Sequence, residues 1–457
     1  YYDEKGRLIS RYQESSDGEL RLELRYDQDD DSDYLYSELN GKKTVKRFSR
    51  LTGKLLSVID ENGHESLFSY DDEGRLVLSE YPDETYSAIY YNDDESVVVH
   101  DHNGLLTSRY YDSYKRPTII DRPRGLDIKR QYYFGNKIQA EYEGDALADD
   151  WVLVSETSYD DRLRPVSVLD PHWGVSTFAY DDVNKQQSFT DFRGLMTRST
   201  FNDKQQIQAT RSQANDTVYE QQFDYNALGN RTGFYDAKGR YYKSDYSDFG
   251  QLKTVYYPGD FASNTAWQEF SYSENNLLKK AQILDDFGET VASYEYDYDK
   301  ENRLLGFYKN NQLEEWLSYD DETRQNALGR LSVVENNAVK SAYDYDAFGR
   351  VTTEETTLKE LGLSYAIRNA YTQWGGLAQI QFPDAKAIDY HYSELRELKA
   401  VHFDNKEIVS YAYTDKGMVD ELKLGSDIKI EYTYNDKDLL SGIAVLKSNG
   451  DVIHEYR

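Results

Sequence analysis

A single unit recurs along the whole of this 457-residue chain: an aromatic residue, then Asp or Asn, two variable positions, often Gly, a polar residue and an aliphatic one. Tyr70-Asp71-Asp72-Glu73-Gly74-Arg75-Leu76 and Tyr345-Asp346-Ala347-Phe348-Gly349-Arg350-Val351 are its cleanest copies. Looser copies carry the series from Tyr2 to Tyr456, through anchors such as Tyr26, Phe48, Tyr91, Tyr133 and Tyr225, at a mean step of about 22.7 residues. A fixed period in this range means one supersecondary unit stacked on its own neighbours. That overrides the about three domains that length alone would suggest.

The unit has a mechanical reading. A strand ends at the aromatic residue, the Asp carboxylate accepts a backbone N–H two residues on, and Gly supplies the positive φ of a hairpin with a bulge. The polar-aliphatic pair then opens the return strand. This reading applies to Tyr70, Asp71, Gly74 and Arg75, to Tyr235, Asp236, Gly239 and Arg240, to Tyr345, Asp346, Gly349 and Arg350, and to Tyr413 and Gly417. A second Asp-rich turn falls about halfway along many repeats, at 60–63, 101–104, 191–194 and 285–288. Turns every ten or eleven residues leave strands of roughly six to eight, too closely spaced for parallel crossovers.

The expected fold is therefore all-β, an antiparallel meander of about twenty hairpin units. Ile428, Ile430, Tyr432 and Tyr434 alternate with Asp427, Lys429, Glu431 and Thr433, the period of a half-buried strand. Val97-Val98-Val99 is apolar on both faces. Longer steps in the series predict a lengthened hairpin near 259–266, and residues 357–363 are the best candidate for a short helix. About 40 strands at ~4.8 Å each would make a flat sheet ~190 Å wide. Right-handed twist coils or closes so wide a sheet, which predicts a spiral or a hollow shell.

Composition narrows the function. A formal charge of -30 argues against nucleic acid and against an anionic membrane surface, both of which require basic patches. Mean hydropathy is -0.84, yet 44 Tyr and 17 Phe supply buried area that disordered chains lack. There is no cysteine, so no disulfide or thiolate chemistry is available. No apolar run reaches the ~18 residues of a membrane span, and the N-terminal stretch has neither a basic n-region nor an apolar h-region. The chain opens inside one copy of the unit and stops at Arg457 just after an anchor. Residues 1–457 read as a segment of a longer repeat protein with no separate catalytic domain.

Asp27, Asp29, Asp31, Asp33 and Glu38 match positions 1, 3, 5, 7 and 12 of a calcium-loop template, but Ser32 stands where that loop needs Gly. The favoured reading is a solvated acidic hairpin tip, with no metal and no cofactor. His100 and His102 share one strand face without a third ligand, and read as surface or packed histidines. Carboxylate pairs are too abundant in repeat turns to single out an acid–base couple. No nucleophile triad or phosphate loop is present, and Gly375-Gly376 reads as a turn. No enzymatic activity is expected. The five Trp residues, 151, 173, 267, 316 and 374, are expected to pack under long hairpins, with sugar stacking as the alternative.

These residues resemble the YD repeat of the Rhs family along the whole chain. The copies at Tyr70, Tyr235, Tyr345 and Tyr413 are strong. Those at Tyr133, Tyr159 and Tyr319 are degenerate, with Leu163 replacing Gly and Gly329 arriving late. The resemblance implies a continuous strip of hairpins spiralling into a hollow shell. In bacterial members, including the BC component of Tc toxin complexes, the shell encloses a C-terminal toxin polypeptide, and animal teneurins use a similar shell in adhesion. The Asp-Pro-x-Gly-Leu autoprotease segment of the bacterial family has only a poor counterpart at Asp170-Pro171-His172-Trp173-Gly174-Val175, so no protease residue is carried over. The implied partners are an enclosed toxin polypeptide or companion shell segments, and the implied location is secreted or at the cell surface. The alternative is an adhesion or carbohydrate-binding module recognising surface glycans or proteins. No nucleic acid and no membrane insertion are expected.

Overall fold

The structure, a computed structural model, describes every residue except 16–17, 30, 93–96, 101–104, 124, 215–216, 259–265, 436–438 and 457. Forty strands, numbered β1 to β40 in chain order, run from β1 (Ser10–Ser15) to β40 (Val452–Tyr456). Each pairs antiparallel with the next, so the chain is one uninterrupted meander in a single sheet. Among the described residues there is no helix. The stretch 357–363, the helix candidate, is instead a tight hairpin. Thr357 pairs with Ser364 and Leu358 with Leu363, and Gly362 turns the chain at φ +59. The β-branched run Thr352, Thr353, Thr356 and Thr357 favours the extended chain there. The half-repeat turns at 60–63, 191–194 and 285–288 form as expected. The 101–104 turn, the lengthened 259–266 hairpin over 259–265, and His102 lie outside the described residues, as does the side chain of His100.

Among the described residues the sheet has no second layer. Its accessible surface is 28779 Å², against about 17,800 Å² for a compact protein of 53.2 kDa. Buried apolar side chains are accordingly few and mostly small: Ala88, Ala140, Ala327, Ala342, Ala400, Val401 and Tyr345. The expectation that the tryptophans lie buried under hairpins is corrected for the same reason, because one layer offers nothing to lie under. Trp173 and Trp316 are exposed and the other three are half-buried. Alternation of burial is also weaker than the sequence implies. In β38 (Ile428–Tyr434), Lys429 and Glu431 are as sheltered as Ile430 and Tyr432, because Lys429 bridges Glu421 and Glu431 at 2.5 and 2.8 Å.

Antiparallel order sends successive turns to opposite edges of this ribbon. Turns that follow even-numbered strands carry the Tyr-Asp unit and define a motif edge. Turns that follow odd-numbered strands define the opposite edge. The ribbon coils until the two edges meet, as contacts between residues some 260 to 290 positions apart record. Asn40 and Lys42 bond Glu301, Asn62 bonds Leu328, Tyr81 lies 6.1 Å from Phe348, and Gly125 abuts the Lys416 carbonyl. Each contact joins an opposite-edge turn to a motif-edge turn 23 to 25 strands further on. At ~4.8 Å per strand that is a circumference of about 110 Å and a diameter near 35 Å between facing backbones, far too wide for side chains to fill.

Candidate functional site: the repeat turn and the seam

The repeat turn is a clamp whose parts reach the next repeat. In the 346–350 turn, Asp346 Oδ1 accepts the N–H groups of Phe348 and Arg350 at 2.9 and 3.0 Å, while Oδ2 accepts Arg350 Nε at 2.5 Å. Gly349 adopts φ +82, and its N–H donates to the Asp346 carbonyl at 3.0 Å. The register slips by one residue between Asp344 and Tyr345, which is the expected bulge. Tyr70, Asp71, Gly74 and Arg75 repeat the arrangement, with Asp71 accepting Arg75 N and Nε at 2.7 Å each. Around Tyr413, Thr414 stands in for Asp, its hydroxyl accepting the Met418 N–H at 3.2 Å, and Gly417 closes the turn at φ +82.

The guanidinium thus held does not point idly into water. Arg75 lies 4.2 Å over the ring of Tyr91, Arg116 4.4 Å over Tyr132, Arg164 4.1 Å over Tyr180, Arg303 4.4 Å over Tyr319 and Arg350 4.7 Å over Tyr371. Each of these tyrosines is the next anchor in the chain. Its hydroxyl donates to the carbonyl of the residue that follows the Arg: Tyr91 to Leu76, Tyr132 to Pro117, Tyr180 to Pro165, Tyr319 to Leu304 and Tyr371 to Val351, at 2.7–3.1 Å. Nine further anchors make the same kind of bond. Aspartate positions arginine, arginine covers tyrosine, and tyrosine ties its own strand back to the previous turn. The motif edge is therefore laced from one repeat to the next.

Electrostatics follows the clamp. The Arg116 guanidinium, with backbone N–H groups of Arg116 and Tyr114, holds the Asp112 carboxyl below its ordinary range. The Arg164 backbone N–H does so first for Asp160. Burial pushes the anchor hydroxyls of Tyr298, Tyr319, Tyr345 and Tyr371 up.

Two sequence assignments shift. The anchor assigned to Tyr133 is Tyr132, whose hydroxyl reaches Pro117, while Tyr133 occupies the Asp position of the turn and stacks on Tyr159 at 5.8 Å. Tyr235, Asp236, Gly239 and Arg240 form the local clamp, with Asp236 accepting Arg240 N and Nε. That turn follows β21 (Arg231–Tyr235), however, and so sits on the opposite edge. It has no bulge, since Tyr235 pairs directly with Tyr241.

The acidic run does not converge. Asp27 lies in β2 (Gly18–Gln28), and Asp33 and Glu38 lie in β3 (Ser32–Leu39), five residues apart on an extended chain, or about 17 Å. Asp29 spends its carboxylate on the N–H groups of Asp31 and Ser32 and on the Tyr34 hydroxyl at 2.6–2.9 Å. Among the described residues no group of three His, Asp or Glu side chains is placed to hold a metal ion.

The seam is the feature sequence reasoning missed. Lys42 Nζ lies 2.5 Å from Glu301 and 3.3 Å from Asp320, which also takes Arg303 NH2 at 2.6 Å. Asn40 Nδ2 donates to Glu301 at 2.8 Å. Beside them the 320–330 loop docks on the 60–64 turn. His64 Nε2 meets Asn326 Oδ1 at 2.8 Å, and Asn62 exchanges two 3.2 Å bonds with the Leu328 backbone. The same loop wraps its neighbour in sequence, as the Tyr345 N–H donates to the Gln325 carbonyl and Asn326 Nδ2 to the Tyr345 carbonyl. The degenerate copy at Tyr319 is thus a repeat whose turn has become a clasp. Its one sequence signal was the late Gly329.

Comparison with solved structures places this arrangement. The chain superposes on a crystal structure of TcdB2-TccC3-Cdc42 with a TM-score of 0.67 at 12% identity, over 96% of its own length and 27% of that chain. It superposes equally well, at 0.67 and 11% identity, on the Photorhabdus luminescens Tc holotoxin pore, over 98% of its length and 26% of that chain. The fold is that of these Tc toxin chains, and this chain spans about a quarter of their length. No protein-family profile matches the sequence, and no curated protein matches it.

Proposed function

We propose that this chain is a stretch of wall from an Rhs-type shell that encloses a polypeptide guest, exported from a bacterium as part of a larger protein. The observation that carries the reading is the edge-to-edge seam, which turns a one-layer ribbon into a tube with a hollow interior. In this reading the inward face is expected to carry many Tyr, Asp, Glu and Lys side chains and few large dry apolar patches. Such a face contacts an unfolded guest without gripping it. The net charge of -30 favours a basic guest over an acidic one. The reading assigns no catalytic step to this segment, and its partners are the guest and further shell segments.

The test is to express the complete polypeptide with its downstream region and follow proteolysis of that region before and after the shell is denatured. Protection only in the intact shell is the expected result. A region digested equally fast in both states would overturn encapsulation and leave surface adhesion as the better account.

A further inference from the structure

Of the seven histidines in the chain, two come together across neighbouring strands. His391 lies in β34 (Ala387–Tyr392) and His402 in β35 (Leu398–Phe403). The register pairs His391 with Ala400 and Asp389 with His402, so the two imidazoles share one face of the sheet as diagonal neighbours. Ala400, directly opposite His391, is buried and small enough to leave that diagonal open. The ring centres stand 4.4 Å apart, with their planes tilted by 55°.

That separation suits one kind of metal ion. An imidazole nitrogen binds a metal at about 2.0–2.1 Å and sits about 1.1 Å from its ring centre, so a shared ion stands about 3.2 Å from each centre. Centres 4.4 Å apart then subtend about 90° at the ion, the cis angle of a square-planar or tetragonal site. The tetrahedral angle of zinc would need about 5.2 Å. His391 is exposed, so its ring turns freely to aim a nitrogen at the shared ion. Carboxylates flank the pair on both sides. Asp389 faces His402 across β34, one oxygen accepting Gln379 Nε2 at 2.7 Å. Glu407 of β36 (Lys406–Tyr413) pairs with His402 from the other side, its Oε2 3.8 Å from His402 Nε2 while Oε1 accepts Ser410 Oγ at 2.7 Å. As the side chains stand, no third His, Asp or Glu among the described residues completes a ligand set. The imidazoles are the chelate, and the carboxylates supply the negative field that draws a cation to it.

We propose that His391 and His402 form a two-histidine chelate for a divalent transition-metal ion of the copper(II) class, held cis, with water in the remaining equatorial positions. The neutral imidazole is the ligand, and the order of affinity is copper above nickel and zinc. Hard cations such as Ca²⁺ and Mg²⁺ prefer oxygen and do not compete for it. A bound ion pins β34 to β35 and stabilises that hairpin by mass action. The competing account is an ion pair between a protonated His402 and Glu407, with His391 a bystander. It gives no reason for the close approach of the two rings, since two cationic imidazoles at that distance would repel. The site lies on a face of the sheet, within strands, and is independent of any guest.

The absence of cysteine removes thiolate binding from the test. The whole chain is titrated with copper(II) chloride in the presence of glycine, a weak competitor that keeps surface carboxylates from retaining the ion, and the bound metal is read by electron paramagnetic resonance. The expected result is one tight equivalent with a tetragonal spectrum showing two equatorial nitrogens, together with slower hydrogen exchange in β34 and β35. His391→Gln and His402→Gln should each weaken it by about a hundredfold, the loss of a chelate's second arm. His391 is exposed, so its variant keeps the fold. His172→Gln and His454→Gln, at exposed positions elsewhere, should leave binding unchanged, and excess Ca²⁺ should not displace the copper. Equal uptake by the wild type and both chelate variants would overturn the proposal, because carboxylates or other histidines would then hold the ion. A spectrum with oxygen ligands only or a single nitrogen would overturn it too, as would zinc bound as tightly as copper.

Discussion

Replacing Tyr345 by Phe removes one hydroxyl from the best-sheltered anchor and nothing else. The ring stays 5.6 Å from the Arg330 guanidinium, and the side chain is 8% exposed. What is lost is a 2.6 Å bond to the Leu331 carbonyl, which ties the end of β30 (Val339–Tyr345) to the start of β29 (Leu331–Glu335). A neutral hydrogen bond contributes about 1 kcal/mol, and leaving a sheltered acceptor unpaired adds to that, so about 1–2 kcal/mol is expected. Tyr345→Ala forfeits the ring as well and should cost about 3–5 kcal/mol. In a meander where each strand touches only its neighbours the cost stays local. Hydrogen exchange read by mass spectrometry is therefore the assay, with a global melt much less informative. Peptides from β29 and β30 should open roughly tenfold faster in Tyr345→Phe, from the 1.4 kcal/mol that corresponds to tenfold. Peptides from β13 (Ile138–Asp145) should be unchanged. Unchanged exchange in β29 and β30 would show that the hydroxyl ladder holds nothing. Acceleration spread evenly over all strands would refute the nearest-neighbour account.

Gly349→Val and Gly74→Val, at φ +82 and +78, should each destabilise their hairpin by about 1–3 kcal/mol, read in the same exchange experiment. Gly349→Val should be the worse, since its Cβ comes within 2.8 Å of Arg330 Nε. Conversely Lys115 and Gln205 already occupy the equivalent strained backbone at φ +61 and +63, and Lys115→Gly should slow local opening by up to about 1 kcal/mol. Lys42→Met removes one cation from the seam and leaves Glu301 and Asp320 to share Arg303, where the side chains of Lys42 and Glu301 are each 13% exposed. It should cost about 2–4 kcal/mol of seam opening, visible as faster exchange in both β4 (Lys42–Ser49) and β27 (Leu304–Lys309). Stability should fall at both ends of the pH scale. The depressed Asp112 and Asp160 carboxyls stabilise the fold fully above the ordinary carboxylate pKa, and that contribution is lost as pH falls through their lower folded values. The raised Tyr319 and Tyr345 hydroxyls stabilise it fully below the ordinary tyrosine pKa, near 10, and that is lost as pH rises beyond it. A midpoint of denaturation constant from pH 3 to 12 would contradict both assignments.

The meander was legible because its signals are local. Asp-x-x-Gly spacing dictates a turn, turn spacing dictates strand length, and strand length excludes crossovers, so the strand number follows. Local rules also explain the errors. Residues 357–363 looked helical from Lys359, Glu360 and Leu361, yet β31 (Val351–Leu358) and β32 (Leu363–Tyr371) pair across them, because an extended neighbour outweighs weak propensity. The tyrosine anchors were read as strand ends but not as ties to the preceding turn, since the bond spans about 15 residues and involves a main-chain carbonyl that leaves no sequence mark. The seam was beyond reach for a related reason. Which opposite-edge turn meets which motif turn depends on the accumulated twist of 23 strands, and no residue near Asn40 or Lys42 points to Glu301. Tyr235 shows the limit from the other side: a well-formed copy of the unit falls on the wrong edge because the same Asp clamp serves any tight hairpin.

The coil itself is best tested by spin labels on Glu65→Cys, beside the 60–64 turn, and Leu328→Cys, introduced into a chain with no other thiol and read by double electron–electron resonance. The seam joins that turn to Leu328 through the two 3.2 Å bonds of Asn62 to the Leu328 backbone, which both variants keep, so a narrow distribution centred near roughly 20 Å between labels is expected, whereas an uncoiled ribbon would hold them about 110 Å apart. A spectrum without any distance below about half that span would contradict the closed coil on which this account rests.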